Sequence, residues 1–426
     1  MSLPPGLFVY HWATRLAGPL AHPALHHRVK RGKEDPLRLD ERQGRPSRNR
    51  PNGHLVWLHG ASVGESRVIL TLVRALLKEH PNLNCLVTTG TTTSAQLMSE
   101  KLPSRAIHQY VPIDRPRYVR RFLDYWQPDL GIFAESELWP NLLLAAERRG
   151  IPMALVNARM NSKSVRNWLA NRGSARRLLR CFAWIGAADR RTAEGLSAIL
   201  DDDVPMVGNL KIDAEADPPD AETLERFRAA IGGRPVWLAA STHPGEDEIV
   251  LAAHQNLLKN YPDALLILAP RHPDRGDAMS DTLASGDFAH ARRSAGDLPG
   301  PEHSVWLADT MGEMALWFAL SPVAFIAGSL IDGIGGHNPV EATQGGAAVL
   351  TGPFTASFDD VFAAYEAHDA VTRVAHADAL SAAVAAIWNG QSDTVPAARQ
   401  AVKDLSSGAL TQTMSALRPM LTGTLA

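Results

Sequence analysis

Cysteine is almost missing from this chain: Cys85 and Cys181, each in an apolar segment, are the two it has in 426 residues. Two isolated cysteines build neither a disulfide framework nor a zinc site, and they point to a reducing compartment. No run of about 18 apolar residues occurs, so nothing in the sequence spans a bilayer as a standard helix. The opening LPPGLFVYHWATRLAGPLAHPALHHRVKRGK lacks the small-residue cleavage pattern of a secretory signal. Neither sign of charge is in marked excess, with 43 Lys or Arg against 45 Asp or Glu. The formal net charge of −2 argues against a dedicated nucleic-acid binder. No tandem repeat of solenoid period is visible, which excludes an extended array.

What is present is material for ordinary cores, with 45% apolar and 21% charged residues. The length calls for about two domains. Charge is unevenly spread: residues 1–50 hold ten Lys or Arg against four acids, an excess that prefers an anionic surface. Leu7, Phe8, Tyr10, Trp12 and Leu16 precede that basic cluster. The combination suits a segment lying in the interface of an anionic bilayer, or a helix packed on the protein's own body. His11, His22, Pro23, His26 and His27 interrupt it, so peripheral attachment is expected rather than insertion. Seven basic side chains without an acid over 159–180 add a second patch fit for an anionic partner.

From residue 54 strand and helix alternate, which means parallel sheets covered by helices on both faces. The apolar runs HLVWLHG, NCLVTTG, AIHQYVP, DLGIFAE, IPMALVNA and AWIGAAD form a first series. PVWLAAST, ALLILAPRH, SVWLADT, VAFIAGS and AAVLTGP form a second. Pro218 and Pro219 between them fit neither a helix interior nor a central strand and read as part of a linker. The expected division is a basic segment over 1–50, a Rossmann-like domain over 51–215, a linker over 216–234, a second Rossmann-like domain over 235–395 and a helical tail over 396–426. Two such domains are expected to face a central cleft.

The strand-to-helix turn HGASVGE holds Glu65. Glycine-rich loops cradle phosphate with backbone N–H groups, and a carboxylate there would repel it, so this loop is expected to receive something else. AESELWPN places Glu135 and Glu137 after another strand, where they act near Glu65 or cap a helix. Lys211 in GNLK could steady charge on a departing group, or be a solvated surface lysine. In the second series, PRHP puts Arg271 at a strand's carboxyl end, suited to a phosphate clamp. Met311, Gly312 and Glu313 in DTMGE suit the face and edge of a base, unless Met311 is core. In GGHNPVEA, Asn338 is expected to cap a helix with Pro339 at its first position. Glu341 in its first turn would take ribose hydroxyls or complete a capping box. The DDD at 201–203, a formal match to the acidic motif of metal-dependent glycosyltransferases, reads as solvated acids.

HGASVGE, ESELWPN, GNLK, STHPGEDE, PRHP, DTMGE and GGHNPVEA, in that order, resemble the bacterial 3-deoxy-D-manno-octulosonic acid (Kdo) transferases from about residue 30 to about residue 360. The resemblance implies an α/β fold of the GT-B glycosyltransferase type and a metal-independent, cofactor-free, inverting transfer of Kdo from CMP-Kdo to a lipid A precursor. It implies Glu65 as the base, Glu135 and Lys211 as transition-state stabilisers, and CMP contacts from Pro270, Arg271, Met311, Gly312, Glu313, Asn338, Pro339, Val340 and Glu341. A place at the cytoplasmic face of the bacterial inner membrane follows from the same resemblance, with no nucleic-acid partner. Rival readings are a uridine-dependent enzyme on the same architecture, such as a lipid A disaccharide synthase or a sugar 2-epimerase; an inactive CMP- or lipid-binding homologue; and a non-catalytic binder using the 159–180 patch. Glu65 together with the Arg271 and Glu341 cluster argues against the last.

Overall fold

Four successive apolar side chains after His54 can all be buried only in a strand covered on both faces, and β1 (Leu55–His59) is such a strand. A computed structural model of the chain, which describes residues 3–213, 219–406 and 408–425, divides it into two compact units. The first comprises Met1–Ala214 with Ser406–Ala426, the second Glu215–Leu405.

In the first unit β1 is joined by β2 (Asn84–Thr89), β3 (Ala106–Tyr110), β4 (Leu130–Ala134), β5 (Met153–Ala158) and β6 (Trp184–Ala187). All pair in parallel in the order β3-β2-β1-β4-β5-β6, with Leu58 opposite Val87 on one side and Ile132 on the other. Alternate side chains of β1 serve different cores. Trp57 packs with Phe122 and Phe133 under the helices Pro116–Trp126 and Pro140–Glu147. Val56 and Leu58 pack with the helix Val63–Glu79 and with Leu417 and Leu421 of the helix Ala409–Leu425. The winding reverses between β1 and β4, so the loops leaving their carboxyl ends flank a crevice of this unit.

The second unit has seven parallel strands: β7 (Val236–Thr242), β8 (Leu265–Pro270), β9 (His290–Arg292), β10 (Val305–Leu307), β11 (Val323–Ile326), β12 (Ala348–Thr351) and β13 (Val371–Arg373). Their order is β13-β12-β11-β7-β8-β10-β9, which puts its reversal between β7 and β11. Both units are thus Rossmann-like α/β layers.

Of the stretch 216–234 read as a linker, residues 216–218, Pro218 among them, lie outside the described residues, and Ala221–Ile231 forms a helix. Its Phe227 is fully buried, stacked on Trp317 at 5.6 Å and edge-on to Trp306 at 4.8 Å. The helix belongs to the core of the second unit because an aromatic side chain of this size gains more by burial than a spacer would. The tail is divided, Val395–Leu405 lying in the second unit and Ala409–Leu425 in the first.

Residues Pro5–Leu16 and Gly18–Lys30 are helices. The first is pinned to the body by buried Leu7, by Tyr10 Oη donating to Asp114 at 3.0 Å, and by His11 and Thr14 bonding Asn141. Its other face exposes Phe8, Val9, Trp12 and Leu16. The segment therefore packs on the body, one of its two expected placements, and presents an apolar stripe. Among the described residues, no helix is long and apolar enough to cross a membrane.

Some of the basic side chains of residues 1–50 are paired within that segment, which leaves its excess unchanged. Buried Glu34 pairs with Arg28 and Arg42, and buried Glu41 with Arg38. In the 159–180 patch Arg172 and Arg176 pair with Asp201, Arg177 with Glu147 and Arg159 with Asp189. The patch reads as all-basic in sequence because its acids come from other segments, and Asp201 of the DDD run is one of them.

Phe227→Ala should lower the stability of the second unit by about 3–5 kcal/mol, the range for truncating a buried aromatic. Urea unfolding followed by tryptophan fluorescence checks it, and an unchanged midpoint would contradict the helix's place in the core.

Candidate active site

At the carboxyl end of β1 the chain turns into the helix Val63–Glu79 through a reciprocal capping box. Ser62 Oγ accepts from the Glu65 N–H at 3.3 Å, while Glu65 Oε2 accepts from the N–H groups of Ser62, at 3.0 Å, and Ala61. Gly60 allows this closeness: a Cβ on it would sit 2.9 Å from Glu65 Cβ and 3.1 Å from Ile69 Cγ1. Sequence reasoning offered capping roles to Glu341 and to Glu135 or Glu137 and missed the one here, although the S-x-x-E spacing of Ser62 and Glu65 carries the signal.

The crevice's second wall starts at Glu135, directly after β4, where the backbone is left-handed with φ of 58°. A non-glycine residue held so costs about 1–3 kcal/mol and persists only where its surroundings enforce it. Glu135 forms an ion pair with Lys211 Nζ. The short helix Leu210–Asp213 carries the lysine, anchored where the Leu210 N–H donates to Asn157 Oδ1 at 2.9 Å. Lys211 Nζ lies 3.3 Å from where a Gly64 Cβ would stand, so the missing side chain admits the ammonium to the first turn of the Glu65 helix. Glu65, Glu135 and Lys211, from three separate motifs, come together in this unit. Glu137 is otherwise engaged, accepting from Trp139 Nε1 at 2.6 Å and bonding His59 Nε2 at 3.3 Å.

Burial raises the Glu65 pKa above the usual carboxylate range, helped by the charges of Glu137 and Glu135, while the Ser62 and Ala61 N–H groups oppose it. Burial would raise Glu137 too, but the hydrogen bond and charge of His59, with Trp139, outweigh it and the net shift is downward. A buried carboxylate with heightened proton affinity beside a lysine–carboxylate pair can take a proton from a hydroxyl and stabilise charge that develops nearby.

In the second unit the sequence-selected residues lie at carboxyl ends of neighbouring strands. Pro270 ends β8, and the Arg271 N–H donates to Thr242 O at 3.0 Å while its side chain is exposed. Met311, after β10, is 62% exposed and therefore not core. Gly312, with φ of 82°, leaves open space beside it. The Glu313 carboxylate is held by Arg293 at 2.7 and 3.1 Å and by Thr310 Oγ1, and its carbonyl accepts from the Leu316 N–H at 2.9 Å. Beyond β11, the cap position of the helix Val340–Gly345 is Pro339, one residue later than expected, while Asn338 Oδ1 still accepts from the Val340 N–H at 3.2 Å and so pairs one of the helix's first donors. Glu341 stands in the first turn of that helix.

Sequence reasoning passed over two features at this switch point, though the STHPGEDE motif contains half of them. Glu246 is fully buried and its carboxylate accepts from the N–H groups of His243, Gly328, Ser329 and Leu330 at 2.7–3.1 Å, shaping the loop after β11. His243 and His337 meet edge to edge, their rings within 13° of parallel and their Nε2 atoms 2.9 Å apart. Among the described residues, no group of three His, Cys, Asp or Glu side chains is placed to hold a metal.

The chain is similar to known proteins. Residues 37–214 match the family described as 3-deoxy-D-manno-octulosonic-acid transferase (kdotransferase). A 3-deoxy-D-manno-octulosonic acid transferase of Rickettsia bellii is 35% identical over 353 residues, 83% of this chain and 84% of that protein. One of Bordetella pertussis is 35% identical over 98% of this chain and 100% of its own length. Among solved structures, the UDP-GlcNAc 2-epimerase of Neisseria meningitidis bound to UDP-GlcNAc aligns with a TM-score of 0.59 at 16% identity, covering 86% of this chain and all of that one. That likeness is one of fold.

Glu65→Gln should fold and be at least as stable as the parent at neutral pH. A carboxyl whose pKa is raised on folding opposes folding once pH exceeds its unfolded value, and the amide carries no such penalty. The advantage of Glu65→Gln should grow as pH rises through the carboxylate range and vanish below about pH 4. Melting curves across pH test this, and a variant less stable at pH 7 than at pH 4 relative to the parent would contradict it.

Proposed function

The chain belongs to the family of the 3-deoxy-D-manno-octulosonic acid transferases, and on that premise we propose that it transfers Kdo from CMP-Kdo to a lipid A precursor of the lipid IVA type, with inversion, Glu65 acting as general base. The observation that carries the reading is the convergence of Glu65, raised in proton affinity by burial, with the Glu135–Lys211 ion pair at one switch point.

In this mechanism an acceptor hydroxyl gives its proton to Glu65 as its oxygen bonds to the anomeric carbon of Kdo. The capping N–H groups of Ala61 and Ser62 hold the carboxylate in place without neutralising it. Lys211 stabilises negative charge that develops in the transition state, and Glu135 keeps the ammonium positioned and offers a carboxylate to positive charge on the sugar. General-base assistance of this kind is worth about 10²- to 10⁴-fold. CMP is held by Pro270, Arg271, Met311 to Glu313 and Asn338 to Glu341. This is supported by their placement at the carboxyl ends of β8, β10 and β11, where α/β sheets receive nucleotides. Exposed Met311 beside open Gly312 suits the flat face of a base.

The lipid acceptor places the protein peripherally at the cytoplasmic face of the bacterial inner membrane. Phe8, Val9, Trp12 and Leu16, exposed on one docked helix with Arg15 over the Trp12 ring at 4.9 Å, support that attachment.

Incubation with a tetra-acylated lipid A precursor and CMP-Kdo generated in situ, read by mass spectrometry, should show added Kdo, and the product should persist in EDTA. An unmodified lipid, or transfer abolished by EDTA, would overturn the reading. Replacing Phe8, Trp12 and Leu16 by serine should weaken partitioning to anionic vesicles at least about tenfold, given ~1 kcal/mol or more per apolar side chain. Unchanged co-sedimentation would remove the helix from membrane contact.

A further inference from the structure

Two imidazoles facing each other through Nε2 at 2.9 Å are an unusual thing to build at a strand end. Among positive groups, His243 and His337 are faced by Arg271 and His272, and His243 also by Arg275. His272 lies edge-on to His243 at 6.2 Å. Of the two acids next in the chain, Glu246 opposes this charge at His243 while its hydrogen bonds go to backbone N–H groups, and Asp247 pairs with Arg275, so Arg271 and His272 are the cations left facing the pair. Gly328 makes room for the arrangement: with φ of 72°, it would bring a Cβ to 3.0 Å from the His337 ring. Its surroundings, with Arg271 and His272 close by, are those of a site for an anion.

We propose that the His243–His337 pair, with Arg271 and His272, forms the subsite for the phosphate of the nucleotide donor. The pair takes up a proton as that anion binds and holds it against the phosphate as the sugar departs. The proposal rests on the function above, since its ligand is that reaction's leaving group. In the empty protein both rings are neutral. Burial, with the neighbouring cations, brings His337 down to about 4 and holds His243 below the ordinary imidazole range against the opposing charge of Glu246. One Nε2–H then donates to the other Nε2, leaving one outer Nδ1 as an acceptor, and an added proton converts that nitrogen to a donor. The charge of a bound phosphate favours this conversion.

The transfer needs such a donor. The acceptor oxygen bonds to the anomeric carbon and yields its proton to Glu65; the bond from that carbon to the phosphate oxygen breaks and its electron pair stays with CMP. A diester with one charge becomes a monoester whose second pKa is about 6, so most of a further negative charge appears beside the histidines.

Calorimetric titration of CMP, UMP and cytidine at about pH 8, in two buffers of different ionisation enthalpy, counts the protons. The whole protein should take up between about half and one proton per CMP and none with cytidine. His243→Gln and His337→Gln should bind CMP at least about tenfold more weakly, with the uptake largely lost. Absence of uptake in the parent protein overturns the proposal whether or not the variants fold, as does undiminished uptake in both variants. Uptake with UMP while CMP fails to bind would sustain the subsite and overturn the cytidine donor. Binding of neither nucleotide would overturn both.

Discussion

Backbone N–H groups at the carboxyl ends of parallel strands, where the ladder stops and a loop begins, have to be paired or hydrated, and leaving them buried and unpaired costs more than most single contacts return. In each unit a buried carboxylate answers that demand. Glu65 accepts from Ala61 and Ser62 beyond β1, and Glu246 accepts from His243 and from the three successive N–H groups of Gly328 to Leu330 beside β7. The loop shapes that position Lys211 against Gly64, and His337 against Gly328, depend on those bonds.

The two carboxylates have different fates. Glu246 is satisfied by four N–H donors and sealed from solvent, so it acts as a fixture. Glu65 is burdened by burial and by the fields of Glu135 and Glu137, with fewer donors to relieve it, which is the condition of a base. A single element, the acid at a strand-to-helix turn, thus provides both framework and chemistry, depending on how fully the surrounding donors neutralise it.

Charge elsewhere obeys the same accounting of partners. The 159–180 stretch looks like a free cationic surface, yet Glu147, Asp189 and Asp201 take much of its charge, while in the basic N-terminal region Glu34 and Glu41 pair with Arg28, Arg42 and Arg38. At the second switch point Asp247 answers Arg275 and Glu246 opposes the charge at His243, while the side chain of Arg271 stays exposed.

Strand and helix alternation, the two Rossmann-like units and the motif positions of Glu65, Glu135 and Lys211 were legible because parallel strands and strand-end turns leave local, periodic marks in a chain. The apolar run before His59 and the S-x-x-E after it are such marks. The linker helix was hidden by the two prolines beside it, since nothing local announces that Phe227 finds Trp306 and Trp317 about 80 to 90 residues on. The engagement of Glu137 by His59, of Glu313 by Arg293 and of His243 by His337 was equally invisible, each partner lying 20 or more residues away. Residue types and their spacing along the chain determined which chemistry was on offer. Which carboxylate stays available as a base, which cation stays unpaired and which imidazoles face each other were decided only by tertiary folding, because pairing energy and burial depend on distances in space that sequence separation does not encode.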